Sequence, residues 1–173
     1  MPHTPESLFR RLDELGIQYV NHHHPPLFTV ADSKALRGQL PGGHCKSLFL
    51  KDKRGALHLL VTSEDRAVDL KHLRKRLGVG NLSFASADLL YEVLGVKPGA
   101  VTPFGLINDT TNRVHVMLDK GMLEHDPLNY HPLVNDQTTA ISPRDLIAFI
   151  ASCGHMPEVI DLDRAFDPAA SGA

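Results

Sequence analysis

An α/β fold in one compact domain, with a mixed β-sheet flanked by helices, is what this chain predicts. Three observations carry that reading. The 173 residues are about one domain long, and 42% hydrophobic against 22% charged residues is an ordinary balance for a chain that buries a core. Helix-period apolar patterns alternate with short period-two runs along the whole length. No internal repeat and no linker divides it, so one domain is expected over 1–165, with the small polar tail 166–173 disordered.

The elements follow in order. Thr4-Pro5-Glu6 is a helix start with Pro at the first helical position; Leu8, Leu12 and Leu15 share a face, and Gly16 ends the helix. Residues 17–21 read as a short strand, stopped by Pro25-Pro26. Thr29-Val30-Ala31-Asp32 has the form of a capping box and opens a helix to about Leu36. After the glycine-rich loop come strands at 47–50 and 56–62, joined by the hairpin-like turn 51–55. Residues 63–77 read as one helix, with Leu70, Leu73 and Leu77 inward. Residues 82–84 form a brief strand, and Ser86 caps a helix that Gly95 stops. Pro98-Gly99 suits a type II turn, in which Gly takes the positive φ. Residues 101–107 read as a strand bent by its proline. Val114, Val116 and Leu118 alternate as a half-buried strand, and 131–133 and 138–141 supply a last strand or two. Ser142-Pro143-Arg144-Asp145 starts a final helix, with Leu146, Ile147 and Ile150 inward.

Composition limits the function classes. A net charge of −2 argues against a general nucleic-acid binder, yet Lys71, Arg74, Lys75 and Arg76 put four positive charges in six residues. Such a run is most often a solvated helix face; its sharper reading is a polyanion site that supplies affinity without sequence readout. No apolar stretch approaches the ~18 residues of a membrane span, and the N-terminus lacks a signal-peptide core. Two cysteines are too few for a disulfide scaffold, so a cytoplasmic location is expected.

Most of the familiar chemistry is missing. His22, His23 and His24 point to alternate faces of an extended chain, with no HExxH or CxxC, so no metal site is expected. His24 abuts the rigid Pro-Pro turn, where it can line a cavity. Cys45 lies between His44 and Lys46, and a cation lowers a thiol pKa, but neighbours on an extended segment face apart. A small half-buried residue is the preferred reading there. No serine stands in a Gly-x-Ser-x-Gly elbow, and neither a phosphate-binding loop nor GxGxxG is present; no cofactor is expected. One placement stands out. In GGHCKSLFLKD, residues 42–52, Lys46 sits at the lip of an apolar strand just after two glycines.

Four segments, HPPLFTVADS (24–33), GGHCKSLFLKD (42–52), GVKPGAVTPFGLIND (95–109) and HPLVNDQTTAIS (131–142), resemble in their order the bacterial YbaK/ProX editing-domain superfamily. Within it, the chain is most similar to the free-standing prolyl-tRNA editing proteins called ProXp-ala or PrdX, from about residue 5 to 162. The resemblance implies a mostly antiparallel, partly barrel-like sheet. It also implies an aminoacyl-tRNA deacylase that removes a wrong amino acid, most characteristically alanine, from tRNA(Pro). Lys46 matches the family's pocket lysine, and Gly99 the glycine whose loop walls the aminoacyl pocket; these are the catalytic candidates. His131 matches the histidine associated with the terminal adenosine, and Ser47, Pro98, Phe28 and Thr29 join it as substrate-binding candidates. Lys71, Arg74, Lys75 and Arg76 become tRNA-binding candidates.

Two positions depart from the pattern: Ser47, where close relatives often carry Asn, and Asn81, where some carry a basic residue. The Ser47 departure keeps Cys- and Ser-tRNA specificity, and a non-catalytic module that holds the tRNA 3′ end, as alternatives. The expected partner is the acceptor end of mischarged tRNA, with association with prolyl-tRNA synthetase left open. A monomer with no membrane contact is expected. An aminoacyl ester is already activated, so a positioned water, oxyanion donors and the neighbouring ribose hydroxyl suffice for hydrolysis, while pocket size excludes proline. Lys46 then anchors the substrate or the tRNA end rather than acting as a base.

Overall fold

The computed structural model describes residues 1–27 and 30–165. Phe28, Thr29 and the tail 166–173 therefore lie outside the described residues. The order is α1 (Pro5–Glu14), β1 (Tyr19–His23), α2 (Val30–Arg37), β2 (Gly43–Lys51), β3 (Leu57–Ser63), α3 (Leu70–Leu77), β4 (Ser83–Phe84), α4 (Ala87–Leu94), β5 (Val114–Asp119), β6 (Leu128–Tyr130), β7 (Gln137–Ile141), α5 (Pro143–Ser152), β8 (Glu158–Ile160) and α6 (Leu162–Ala165). The eight strands form one mixed sheet in the order β1-β7-β6-β2-β3-β5-β8, with β4 added beside β2. The β1–β7, β6–β7, β2–β3 and β2–β4 pairs are antiparallel, and β2–β6, β3–β5 and β5–β8 are parallel.

The central strands have two buried faces. Leu57, Leu59 and Val61 of β3 enter a first core with Phe49, Val116 and Phe104, while Leu60 enters a second with Leu50, Met117 and Leu73 of α3. Cover on both faces explains why β3 reads as a continuous apolar run. It also corrects the half-buried reading of β5, in which Met117 is as buried as Val116 and Leu118.

Local capping chemistry places most helices. The Thr4 hydroxyl accepts from Ser7 N–H, Ser86 from Leu89 N–H, and Ser142 from Asp145 N–H. The strand expected over 131–133 lies instead at Leu128–Tyr130, and three further expectations fail for physical reasons. The helix expected from 63 begins only at Leu70, because the Asp69 carboxylate caps Lys71 N–H. The strand expected over 101–107 is instead a buried 3-10 helix, Pro103–Asn108; Thr102 caps Phe104 N–H, and Pro103 sits where a helix needs no N–H. Leu15 and Ile147 face outward at 41% and 37% exposure, since Leu15 is a helix C-cap and Phe149 fills the inward position on α5. The pair β8 and α6 carries no clear signal in the sequence. Among the described residues, no helix is long and apolar enough to cross a membrane.

Candidate functional site

The two glycines before Lys46 let β2 run against β6. Gly42 has φ +96°, and a side chain there would collide with the Pro127 backbone; a Cβ on Gly43 would lie 2.9 Å from that of His125. Parallel pairing then sets Gly43 against Leu128 and His44 against Asn129. At this junction lies a cavity of about 60 Å³. Its walls come from His44, Cys45 and Ser47 of β2, from Asn129, Tyr130 and His131, from Thr138 of β7 and from Glu64 beyond β3. Leu27, Leu36 and Val101 supply apolar wall.

Apart from the Ser47 hydroxyl, the side-chain donors of this wall are committed within the protein. Asn129 Nδ2 donates to the carbonyls of Pro41 (3.0 Å) and Gly43 (3.1 Å). His131 Nδ1 donates to the Gln137 carbonyl at 2.9 Å, and His44 Nε2 to the Leu40 carbonyl at 3.0 Å. Tyr130 OH donates to Met122 Sδ at 3.2 Å. His24 donates Nδ1–H to the Pro25 carbonyl and accepts the Thr138 hydroxyl on Nε2, both at 2.8 Å. Among the described residues, two buried polar side-chain atoms have no partner: Ser47 Oγ and Asn129 Oδ1.

Burial sets the protonation states. It pushes the Cys45 thiol up to about 12, against hydrogen bonding from Tyr130 and Asn129, so Cys45 is a protonated wall residue and not a nucleophile. Burial also lowers the His131 imidazole; the Gln137 carbonyl opposes this, His24 adds to it and Glu64 opposes it. His131 is thus neutral, with Nε2 left as an acceptor.

The structure brings some of the expected residues together and separates others. Ser47 and His131 share the cavity wall. Pro98-Gly99 forms the expected turn, with Ala100 N–H bonded to the Lys97 carbonyl at 3.0 Å and Gly99 at φ +91°. Neither Pro98 nor Gly99 lines the cavity, which Val101 reaches two residues later. Phe28 and Thr29 lie outside the described residues.

Lys46 is not in the wall. Strand alternation puts it with Leu48 and Leu50 on the second-core face, opposite Cys45 and Ser47. Its ammonium donates to the Arg66 carbonyl. Arg66 in turn binds the buried Asp119 (2.9 Å), which also accepts the Thr62 hydroxyl (2.6 Å), and it bridges to Asp163 (2.7 Å). The basic helix α3 packs Leu73 into the second core as well, so Lys71, Arg74, Lys75 and Arg76 stand on the sheet face away from the cavity.

Asn129 and Glu64 belong to no motif that marks them in the sequence, and Thr138, though inside the segment 131–142, is not singled out there. The one signal is Asn129, a polar residue inside the apolar run before His131. Among the described residues, no group of three or more His, Cys, Asp or Glu side chains is placed to hold a metal ion.

Residues 24–149 match the model of the aminoacyl-tRNA editing domain family. The chain is 35% identical to the prolyl-tRNA editing protein ProX of Acetoanaerobium sticklandii, over 91% of this chain and 96% of that one. It is 38% identical to the prolyl-tRNA synthetase associated domain-containing protein 1 of Bos taurus, over 91% and 95%. A proline–tRNA ligase of Bacillus licheniformis is 32% identical over 49% of this chain and 14% of that one. A solved structure described as a candidate trans-editing enzyme for prolyl tRNA synthetase superposes with a TM-score of 0.70 at 20% identity, covering 94% and 98% of the two chains. That likeness speaks for the fold.

Proposed function

This chain belongs to the aminoacyl-tRNA editing domain family, and on that premise we propose that it is a trans-editing hydrolase that deacylates mischarged tRNA(Pro), with Ala-tRNA(Pro) its preferred substrate. The observation that carries the reading is the cavity. It draws on all four family segments, through Leu27, Cys45, Val101 and His131, holds about 60 Å³, and counts Ser47 and Asn129, each with an unpaired buried oxygen, in its wall. The names borne by full-length relatives at 35% and 38% identity support tRNA(Pro) as the substrate class.

Size supports alanine. A small pocket admits alanine's methyl group more readily than the bulkier proline ring, and steric refusal discriminates more sharply than preference for one methylene. In the reaction, water attacks the ester carbonyl carbon and the bond to the ribose oxygen breaks. The proton passes to that oxygen, which releases alanine and free tRNA. His131 Nε2 accepts a hydrogen bond from the ribose of the terminal adenosine and orients it. Backbone N–H groups beside the Pro98-Gly99 turn stabilise the oxyanion.

Lys46 serves as a positioning residue: through the Arg66 carbonyl it holds the segment that carries Glu64 into the cavity wall. The protein acts as a cytoplasmic monomer on the product of prolyl-tRNA synthetase. The test is a panel of Ala-, Cys-, Ser- and Pro-tRNA(Pro). Ala-tRNA(Pro) should be cleaved fastest and Pro-tRNA(Pro) spared. Faster Cys or Ser release reassigns the specificity, and no cleavage of any mischarged species ends the reading.

A further inference from the structure

Apart from the Ser47 hydroxyl, which can both donate and accept, the described wall residues offer acceptors rather than free donors. Asn129 Oδ1 and Ser47 Oγ are buried without a partner. Asn129 is only 3% exposed, and an unsatisfied buried carbonyl oxygen is costly, so its persistence calls for a ligand or an ordered water. Its orientation is fixed. Turning the amide over would place Oδ1 against the carbonyls of Pro41 and Gly43, which now accept from Nδ2. His131 contributes a third acceptor, Nε2, because Nδ1–H is committed to Gln137. The Glu64 carboxylate adds negative charge at the same wall. A group that complements this set is a compact cation with several N–H donors.

We infer that Asn129 Oδ1 and Ser47 Oγ form a subsite for the α-ammonium of the aminoacyl group, and that Asn129 is a specificity-determining residue. The inference rests on the deacylase reading for the identity of the ligand, though not for the subsite itself. An ammonium donates three hydrogen bonds, and the bond to a neutral amide oxygen is charge-assisted, so it gains more from this wall than a hydroxyl of the same size. The subsite also gives the cavity a direction. Fixing the ammonium at Asn129 fixes the side chain and the ester carbonyl relative to it, which size exclusion alone does not do.

The test separates recognition from turnover. Non-hydrolysable 3′-alanylamido-adenosine and its 3′-lactylamido counterpart differ only in ammonium against hydroxyl. Calorimetric titration of the wild type should show the alanyl compound binding at least tenfold tighter. Ser47→Ala should fold normally, since it deletes an unsatisfied hydroxyl, and should narrow that ratio several-fold. Asn129→Ala should bring it close to one. Should Asn129→Ala fail to fold, the wild-type and Ser47→Ala ratios decide.

Equal binding of the two compounds by the wild type, or no measurable binding of either, overturns the subsite; in that case a buried water satisfies the two atoms. A clear ammonium preference in a protein that hydrolyses no mischarged tRNA sinks the deacylase reading and leaves the subsite standing.

Discussion

His131 shows how one side chain ties geometry to pH. Its Nδ1–H is held by the Gln137 carbonyl, and burial lowers its pKa below the usual imidazole value of about 6.5. The unfolded chain therefore takes up the proton first as pH falls. Stability is lost from about pH 6.5 downward and levels off below the folded pKa. Nε2 can accept only while the ring is neutral, so the deacylation profile should carry an acid limb that begins below pH 6.5. His131→Asn should lower kcat/KM by about 10²-fold, the low end for a positioned proton-handling group, and should abolish that limb. A limb that persists unchanged in the variant shows that His131 does not set it. Ser47 and His131 stand inside segments that the sequence singles out, and both line the cavity. Lys46 is matched to a pocket lysine by the family resemblance, whereas the two-residue period of a strand sends it to the face opposite Ser47. Asn129 is illegible because its meaning is a missing partner, and absent bonds do not show in a sequence.

At the scale of elements, the legible features are those that adjacent residues decide. Thr4, Ser86 and Ser142 cap their helices as expected, since each bond spans three residues. The parallel β2–β6 and β5–β8 pairs join segments far apart in the chain, and no local pattern announces them. The segment between β3 and α3 illustrates the difference. Its composition reads as helix, yet Arg66 is drawn to Asp119 and Asp163, and its carbonyl to Lys46. Asp119 is almost wholly buried and accepts from Arg66, the Thr62 hydroxyl and Gly121 N–H. Asp119→Ala strands those donors. Arg66 keeps 26% exposure, so the loss belongs near the lower end of a broken buried pair, about 3 kcal/mol by denaturant titration. A loss under about 1 kcal/mol would mean that solvent replaces the carboxylate. Lys46→Ala should act more locally. It should raise amide hydrogen exchange at 64–67 and lower kcat with little change in the binding of the alanylamido compound. Weakened binding with unaltered exchange would instead make Lys46 a direct substrate contact.

Across the whole molecule, the sheet separates two tasks. The cavity opens beside the first core, while α3 lies on the second, so the four cations at 71–76 cannot touch an ester seated in the cavity. If they serve tRNA, they do so by holding phosphates of the acceptor arm as it passes the sheet edge, an interaction that gives affinity without sequence readout. The net charge of −2 makes that patch the more distinct, because the rest of the surface is on balance acidic. Replacing Lys71, Arg74, Lys75 and Arg76 by serine should therefore weaken tRNA binding. It should also flatten the salt dependence of log Kd, by roughly 0.7–0.9 for each phosphate that is no longer neutralised. Hydrolysis of a free 3′-alanyl-adenosine ester should be unchanged, since that substrate never reaches α3. A minihelix that ends in the acceptor stem should behave like full tRNA if the phosphates held by α3 all belong to that arm. Equal salt slopes in the two proteins would leave α3 an ordinary solvated helix face. Loss of activity on the small ester would instead show that α3 supports the cavity through the sheet, by way of Leu73 and the second core.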